Sequence, residues 1–394
     1  MAEQRFLRPV DVLYLRGNRL FGEAGAHSEA EMPPWPTVAA GALRSRMLVD
    51  AGVAPETFAG NGASLGPELE RILGTPERPG TFTLSTLLPA RRKNGSVEPL
   101  FPLPADVIVH EEKGTLDVHR LDLDVGAERL AQHGLMTGYP LPQLPVLRRR
   151  EAGKPVGGLW LTPKGLQTYL RGGVPGTDQL LRSGEFWKID PRLGIALDGT
   201  TRTARTGALY TSEAVAPDPD FGFFVDVRGA DGHVPRDGLL RFGGDGRAVV
   251  VETADVTWPP EPDWERIEGE RRFLLILRTP GIFPGGWRLP GLDDQGLWHG
   301  PAGLRARLVT AVVPRARVVS GWNLARGCPK PAQRTVPVGA VYGFADVGEG
   351  ARDALGRLLE EGLWSLLPDD DPWAQRRAEG FGHVLVANWP RTAE

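Results

Sequence analysis

The sequence contains a single cysteine and no long apolar run. Because Cys328 is the only cysteine among 394 residues, an intramolecular disulfide is excluded, which favours a reducing compartment. No stretch approaches the ~18 apolar residues of a membrane-spanning helix, and residues 1–12 carry charges where a secretory signal needs an apolar core. We therefore expect a soluble, cytoplasmic protein.

Several catalytic and metal-binding motifs are also missing. The sequence has no GxxxxGK[ST] phosphate loop, no HExxH zinc motif and, with one cysteine, no CxxC site. The string GGDG at 243–246 resembles the GGDD turn of nucleotide cyclases, but glycine stands where two-metal catalysis needs the second carboxylate. A carboxylate pair for glycoside hydrolysis stays open, because its members can lie far apart in sequence. We expect no catalytic residue, no metal ion and no cofactor.

Glycine and proline, by contrast, are abundant. The chain has 51 Gly and 36 Pro, which is typical of many loops, while 41% hydrophobic residues and 11 Trp are enough to build folded cores. The formal net charge of −3 excludes a uniformly basic protein but leaves room for a local basic surface. These values favour a folded α+β protein with long glycine-rich loops.

The pattern of apolar residues predicts a strand over Arg5–Leu15 and then a helix. Thr37 is a plausible N-cap for this helix, and Ala39, Leu43 and Met47 recur at helical spacing. Farther along, residues 125–190 contain prolines that argue against regular elements, so we interpret this region as an insertion.

Two domains are predicted from a change of composition at 256–270. The apolar run Phe273–Leu277 looks like a new buried first strand, and in both halves a glycine-rich loop leads into a final apolar strand (FGGDGRAVVVE and EGFGHVLVANW). We therefore predict one domain over 1–258, with an insertion near 111–190, and a second over 270–394. A helix is predicted over Ala351–Leu367 from its leucine stripe.

Acidic residues are absent from two basic stretches. Residues 295–345 contain no Asp or Glu but seven basic side chains, and residues 199–212 contain Arg202 and Arg205 with no acid. Arginine offers forked donors to phosphates, and glycine lets backbone N–H groups approach a ligand. Trp322 could stack on a base. The alternative is that these arginines lie on exposed strand edges, where their charge prevents pairing with other chains, and that Trp322 lies in the core.

Four strings in order resemble the RAMP superfamily, and within it the third subunits of Cmr complexes, the type III-B CRISPR effectors. The strings are FLRPVDVLYLRGNRLFG, MPPWPTVAAGALRSRML, GIALDGTTRTARTGALYTSE and SGWNLARGCPKPAQRTVPVGAVYGF. The resemblance covers most of the chain except roughly 111–190. It implies two ferredoxin-like (RRM-like) domains with glycine-rich loops and insertions.

The same resemblance implies a role and partners. Such a subunit holds the 5′ tag of the CRISPR RNA and joins the large cyclase-type subunit to the backbone RAMP subunits. Target cleavage and cyclic-oligonucleotide synthesis belong to those other subunits, so the resemblance implies no enzymatic activity here. We expect one copy in a hetero-oligomeric ribonucleoprotein.

The basic and glycine-rich positions in these strings are our candidate RNA contacts. In the helix, Arg46 has Asp50 four residues on as an ion-pair partner, whereas Arg44 has no such acid and is the better candidate. Gly41 could let the helix approach either RNA or a strand. The predicted RNA-binding residues are Arg16, Asn18, Arg19, Gly41, Arg44, Arg202, Arg205, Gly243, Gly244, Arg247, Trp322, Arg326, Lys330 and Arg334.

Two other functions stay open at this point. A metal-independent endoribonuclease that processes CRISPR RNA would use His27, which lies in the first glycine-rich loop, as its general acid or base. A purely structural adaptor would contact only protein.

Overall fold

The computed structural model describes residues 2–17, 27–60, 65–76, 78–134, 136–149, 153–323, 327–368 and 374–391. The strands, in chain order, are β1 Glu3–Pro9, β2 His27–Ser28, β3 Thr83–Lys93, β4 Ser96–Pro99, β5 Phe101–Pro102, β6 Val107–Glu112, β7 Thr115–Arg120, β8 Asp122–Gly126, β9 Gln143–Val146, β10 Leu159–Leu161, β11 Leu180–Arg182, β12 Trp187–Leu197, β13 Ala204–Pro217, β14 Phe221–Arg228, β15 Leu239–Arg241, β16 Ala248–Thr253, β17 Phe273–Leu277, β18 Leu297–His299, β19 Arg305–Val312, β20 Arg317–Val319, β21 Trp322–Asn323, β22 Cys328–Pro329, β23 Gln333–Thr335, β24 Val341–Ala345 and β25 Val384–Ala387. The helices are α1 Pro36–Asp50, α2 Pro55–Ala59, α3 Pro67–Leu73, α4 Ala127–Gln132, α5 Pro163–Leu170, α6 Trp264–Glu270, α7 Ala351–Glu361 and α8 Ala374–Ala378.

The chain forms two compact units that alternate along the sequence. The first unit comprises Met1–Pro99, Ser183–Val256 and Val318–Gln333, and the second comprises Leu100–Arg182, Thr257–Arg317 and Arg334–Glu394. The predicted domains were continuous in sequence, whereas these units are not. The largest difference concerns Leu100–Arg182, which was predicted as part of the first domain but belongs to the second unit. Its backbone forms hydrogen bonds with the rest of that unit, for example from the Ala105 N–H to Gly339 O at 2.8 Å.

The main sheet of the first unit has six strands in the order β15-β16-β1-β14-β3-β4. β1 runs antiparallel to both β14 and β16, and its Phe6 and Leu7 are fully buried. α1 follows β1 and contacts β3, burying Ala39, Leu43 and Met47 as their spacing predicted.

The main sheet of the second unit has five strands in the order β18-β19-β24-β17-β25. β17 occupies the predicted residues Phe273–Leu277, and all five of its residues are buried, as expected for an uninterrupted apolar run. Its Phe273 ring stacks on Phe344, with ring centroids 4.9 Å apart. α7 lies between β24 and β25 in the chain and buries Leu355 and Leu358.

The two sheets share one arrangement of their four principal strands. In each sheet the fourth strand in chain order lies beside the first, the first beside the third, and the third beside the second, all antiparallel. The strands that follow the two glycine-rich loops, β16 and β25, therefore occupy the same position in their own sheets. The chain is thus an α+β protein built on antiparallel sheets.

The region 125–190 contains regular elements, so the prediction of an irregular insertion is wrong there. β9 includes Pro145 and pairs with β8, in which Val125 lies opposite Leu144. A proline is tolerated in such a two-stranded pair, because not every N–H group is needed for the ladder. α5 begins at Pro163, where Thr162 caps the helix by accepting a hydrogen bond from the Gly165 N–H at 3.1 Å.

A buried polar triad stabilises the second unit. Arg120 Nε donates to Asp106 Oδ2 at 2.9 Å, and Tyr169 Oη donates to Asp106 Oδ1 at 2.8 Å. The Arg120 guanidinium also lies 4.0 Å from the centroid of the Tyr169 ring. The side chains of Arg120 and Asp106 are only 3% and 0% exposed. Burial, reinforced by the Asp106 charge, raises the pKa of Tyr169 well above its usual range.

Three predicted boundaries need correction. β1 ends at Pro9, six residues before the predicted end at Leu15. α1 has Trp35 as its N-cap and Pro36 at its first position, so Thr37 lies inside the helix. α7 ends at Glu361 because Gly362 adopts a φ of 74°, and a short 3₁₀ turn, Leu363–Leu366, carries the rest of the leucine stripe.

Candidate nucleic-acid interface

The glycine-rich loop after β15 folds against the segment that follows β1. The Gly244 N–H donates to Tyr14 O at 2.8 Å, and the Phe242 N–H donates to Arg247 O at 2.8 Å. Gly243 has a φ of +82°, and a Cβ atom there would lie 2.7 Å from Tyr14 O. Glycine is therefore required at 243 by close approach within the chain. The Gly244 N–H is engaged by Tyr14, so it is not free to contact a phosphate.

Three guanidinium groups surround the ring of Tyr14. The guanidinium carbons of Arg16, Arg192 and Arg247 lie 5.9, 5.9 and 5.3 Å from the ring centroid. Arg192 Nη1 also donates to Tyr14 Oη at 3.4 Å. We call Tyr14 and these three arginines the Tyr14 cluster. Cations near an aromatic face are attracted by its quadrupole, so the ring helps to hold three like charges together.

Each arginine of the Tyr14 cluster is paired with an aspartate. The pairs are Arg16–Asp245 at 3.3 Å, Arg192–Asp190 at 2.9 Å and Arg247–Asp11 at 2.7 Å. The three arginine side chains are 37%, 40% and 28% exposed. Ion pairs at this exposure are weak because water screens them. A phosphate that accepts two parallel N–H bonds can therefore replace an aspartate as partner.

Two groups at the Tyr14 cluster, Asp11 and Arg192, have pKa values shifted toward their charged forms. A hydrogen bond from the Val12 amide, together with the Arg247 guanidinium, lowers the pKa of the Asp11 carboxyl. Hydrogen bonds to Asp190 and Tyr14 raise the pKa of Arg192. A pH change near neutrality therefore leaves Asp11 negatively and Arg192 positively charged.

The candidate residues of α1 lie elsewhere and behave differently from one another. Arg44 Nη2 donates to Leu73 O at 3.1 Å, so this side chain has a partner inside the unit. Arg46 pairs with Asp50 at 2.6 Å, as predicted, and also donates to Leu239 O at 2.8 Å. Gly41 is exposed, and a Cβ atom there would meet no described atom within 4 Å. Packing within the described chain therefore does not explain Gly41.

Arg202 and Arg205 lie at the tip of the hairpin formed by β12 and β13. Asp198 accepts hydrogen bonds from the Thr200 and Thr201 amides, both at 2.9 Å, and so shapes the turn. Both arginines are exposed. β12 ends five residues after Arg192, which is about 17 Å at the rise of a strand. The tip of the hairpin is therefore separate from the Tyr14 cluster.

Trp322 and Arg334 are exposed parts of the basic stretch 295–345. Trp322 is 53% exposed, which makes the alternative of a core tryptophan wrong. It lies in β21 opposite Pro329 of β22, and the loop is closed by a hydrogen bond from the Lys330 N–H to Gly321 O at 3.0 Å. Arg334 lies in β23 and is also exposed.

The structure brings together only part of the predicted set. Arg16, Gly243, Gly244 and Arg247 meet at Tyr14. Asn18, Arg19 and Arg326 lie outside the described residues, and so does the side chain of His27, whose backbone forms β2 beside Thr211. The sequence analysis missed Tyr14 and Arg192. Tyr14 falls inside the predicted strand Arg5–Leu15, and no sequence signal links it to Arg192, which is 178 residues away.

One further string has a catalytic spacing. Residues 62–66 read GASLG and match GxSxG, which marks a nucleophile only where a strand precedes the serine. Here the preceding element is the helix α2, and Ser64 lies outside the described residues. Among the described residues, no group of three or more His, Cys, Asp or Glu side chains is placed to hold a metal ion. No described helix is long and apolar enough to span a membrane.

The comparison with protein families agrees with the resemblance. The model of the family described as CRISPR-associated protein (Cas_Cmr3) matches residues 5–389. No curated protein matches the sequence significantly. Two similar solved chains come from cryo-EM structures of the type III-B Cmr-beta complex. One, bound to cognate target RNA and AMPPnP, has a TM-score of 0.48 at 16% identity and covers 97% of this chain and 96% of its own.

The second Cmr-beta chain, from the complex with cognate target RNA alone, has a TM-score of 0.46 at 15% identity over 97% of this chain and 96% of its own. A chain from the Csm3-Csm4 subcomplex of the type III-A interference complex has a TM-score of 0.35 at 11% identity, covering 88% of this chain and 93% of its own.

Proposed function

The chain belongs to the Cas_Cmr3 family of CRISPR-associated proteins, and from this premise we propose that it is an RNA-binding subunit of a type III-B effector. It holds the 5′ tag of the CRISPR RNA and bridges the large cyclase-type subunit to the backbone RAMP subunits. The observation that carries this proposal is the Tyr14 cluster, in which three partly exposed arginines lie around one aromatic ring.

The chemistry of the Tyr14 cluster supports binding to single-stranded RNA. Guanidinium groups bind phosphates through two parallel hydrogen bonds, and single-stranded RNA presents both phosphates and unstacked bases. The hairpin tip with Arg202 and Arg205 and the exposed Trp322 offer further phosphate and stacking contacts. Together these residues form separate contact points along an extended strand rather than one pocket.

We further propose that each unit is a ferredoxin-like domain that keeps α-helices in only one of its two crossover connections. The shared strand order supports this interpretation. Within the described residues, the first unit has α1, α2 and α3 between its first two principal strands and no helix in residues 229–247 between the last two. The second unit has α7 and α8 between its last two principal strands and no α-helix in residues 278–304 between the first two.

The subunit is proposed to act without catalysis. It would position the RNA, while chemistry is carried out by its partner subunits. The rival endoribonuclease is tested by incubating the pure chain with repeat RNA in EDTA. Cleavage that is abolished by His27→Ala would overturn the non-catalytic role, and intact RNA supports it.

The test of RNA binding compares two arginines that each form an ion pair with an aspartate. Arg247 pairs with Asp11 in the Tyr14 cluster, whereas Arg71 forms an exposed pair with Asp231 at 2.6 Å outside it. Binding of a fluorescent RNA that carries the 5′ tag is measured by anisotropy with the reconstituted effector. We expect Arg247→Gln to weaken binding about tenfold, roughly the loss of one charge-assisted contact.

Arg71→Gln is the matched control and should leave the affinity unchanged. Equal effects of the two variants would show that the Tyr14 cluster is an ordinary charged surface and would contradict the proposal. A protein-only adaptor would show no effect of either variant on RNA binding but would still assemble.

A further inference from the structure

A groove in the second unit contains arginines that the proposed function does not use. It has a volume of about 380 Å³ and is lined by Arg171, Pro262, Asp263, Trp264, Glu265, Arg352 and Arg391. The lining comes from four separate segments: the end of α5, the start of α6, the start of α7 and the chain after β25.

Hydrogen bonds fix the walls of this groove. The Asn388 N–H donates to Leu170 O at 2.8 Å, and the Arg391 N–H donates to Gly172 O at 3.0 Å, which ties the chain after β25 to the end of α5. The Asp263 N–H donates to Asn388 Oδ1 and Asn388 Nδ2 donates to Asp263 O, both at 2.8 Å. The groove is therefore a built feature rather than a gap between loose loops.

The three arginines of the groove differ from their neighbours. Arg266 pairs with Glu270 at 2.7 Å and Arg272 pairs with Asp124 at 2.9 Å. By contrast, the exposed side chains of Arg171, Arg352 and Arg391 form no hydrogen bond or ion pair with any described residue.

The two carboxylates that line the groove form no ion pair with any of these arginines in the part of the chain that the structure describes. Asp263 Oδ1 accepts a hydrogen bond from the Arg266 N–H at 3.1 Å and so caps α6. Glu265 is exposed and lies in the first turn of the same helix. Three guanidinium groups that border one concave site repel each other unless an anion joins them. A phosphate group can accept hydrogen bonds from all three, because it offers several anionic oxygens to forked donors.

We propose that this groove binds the phosphate group of a nucleotide, held by Arg171, Arg352 and Arg391. The nucleotide is either a free mononucleotide or one unit of an RNA chain. This site lies in the second unit and does not depend on tag binding by the Tyr14 cluster, so either proposal can fail while the other stands.

The test is calorimetric titration of the full-length chain with AMP, using adenosine as the phosphate-free control. We expect saturable AMP binding and binding of adenosine at least about tenfold weaker. Arg352→Gln and Arg391→Gln should each weaken AMP binding about tenfold, since each removes one charged donor. Arg357→Gln is the matched control: Arg357 is exposed on the same helix α7 but does not line the groove. Melting temperatures of all variants verify that they fold.

Competition experiments identify the source of the phosphate. If an RNA octamer displaces AMP from the Arg247→Gln chain, the groove binds a nucleotide within RNA; if it does not, the groove binds a free nucleotide. The proposal is overturned if AMP shows no saturable binding or if adenosine binds as tightly as AMP. It is also overturned if Arg357→Gln weakens AMP binding as much as Arg352→Gln does. Displacement of AMP by polyglutamate at a lower concentration than by inorganic phosphate would instead indicate an acidic protein segment and would also overturn it.

Discussion

The Tyr14 cluster and the buried triad use the same three residue types in opposite ways. In the triad, one arginine, one aspartate and one tyrosine are almost completely buried, and the arginine and the tyrosine both donate hydrogen bonds to the aspartate. In the Tyr14 cluster, a tyrosine gathers three arginines whose aspartate partners leave them 28–40% exposed. Burial makes the first arrangement structural, because water and ligands cannot compete for its partners. Exposure makes the second arrangement exchangeable.

The largest effect is expected in the buried triad. Arg120→Ala should lower the free energy of unfolding by about 3–5 kcal/mol, because it leaves the Asp106 charge buried without its partner. The measurement is urea unfolding of the purified chain. Arg182→Ala is the control, since Arg182 forms an exposed pair with Glu111 at 2.9 Å and its loss should cost less than about 1 kcal/mol. Equal losses for the two variants would contradict the structural role of the triad.

Tyr169→Phe should have the next largest effect on stability and should change its pH dependence. It removes a hydrogen bond to a charged group, at a cost of about 1.5–3 kcal/mol at neutral pH. The folded-state pKa of Tyr169 is raised, so its contribution is fully present below the unfolded pKa of about 10 and is lost as pH rises above that value.

The free energy of unfolding should therefore fall less steeply above about pH 10 in Tyr169→Phe than in the unchanged chain. Some alkaline loss should remain, because burial also raises the pKa of Tyr342. Identical slopes in the two proteins would show that Tyr169 is accessible to water and not part of a buried triad.

In the Tyr14 cluster, the corresponding change should affect RNA affinity rather than stability. Tyr14→Leu should weaken binding of tag RNA by about tenfold, because the three guanidinium groups lose the ring that holds them near each other. Tyr14→Phe keeps the ring, loses only the long hydrogen bond from Arg192, and should bind nearly as well. Anisotropy titrations and unfolding curves of both variants make the comparison. A large loss of stability in Tyr14→Leu without loss of affinity would make the cluster structural, like the triad.

The smallest effect should come from removing an aspartate of the cluster. Asp11→Asn releases Arg247 from its ion pair and should raise RNA affinity about twofold to threefold, because an exposed pair competes only weakly with phosphate. The lowered pKa of Asp11 keeps this carboxyl charged at neutral pH. The gain in RNA affinity should therefore be constant across pH 6–8, an interval that begins about two units above the usual Asp pKa. A decrease in affinity would show that Asp11 positions Arg247 for RNA rather than competing with it.

Local patterns predicted the elements of this fold better than its long-range pairings. The apolar run Phe273–Leu277 was predicted as a buried strand and is one, because burial on both faces follows directly from composition. The prolines of 125–190 argue against regular elements, yet Pro145 lies in a strand. The effect of a proline depends on which N–H groups the partner strand requires, and the sequence does not identify that partner. The assignment of Leu100–Arg182 to the second unit rests on hydrogen bonds to residues far along the chain, which leave no local signal.

The candidate site shows the same limit. Glycine spacing drew attention to Gly243 and Gly244, but the structure explains Gly243 by the close approach of the Tyr14 carbonyl. Arg192 escaped notice because it lies in a strand without a basic neighbourhood, and it reaches Tyr14 only through the paired hairpin. Side chains that meet from residues 14, 192 and 247 can be recognised as one site only after folding.

The central claim is that the Tyr14 cluster contacts the 5′ tag of the CRISPR RNA. Its most direct test is photo-crosslinking of the assembled effector, with the RNA labelled at each tag nucleotide in turn and the crosslinked peptides identified by mass spectrometry. The account predicts tag crosslinks to peptides that contain Tyr14 or Arg247, and their loss in Arg247→Gln but not in Arg71→Gln. Tag crosslinks found only on other subunits would contradict it.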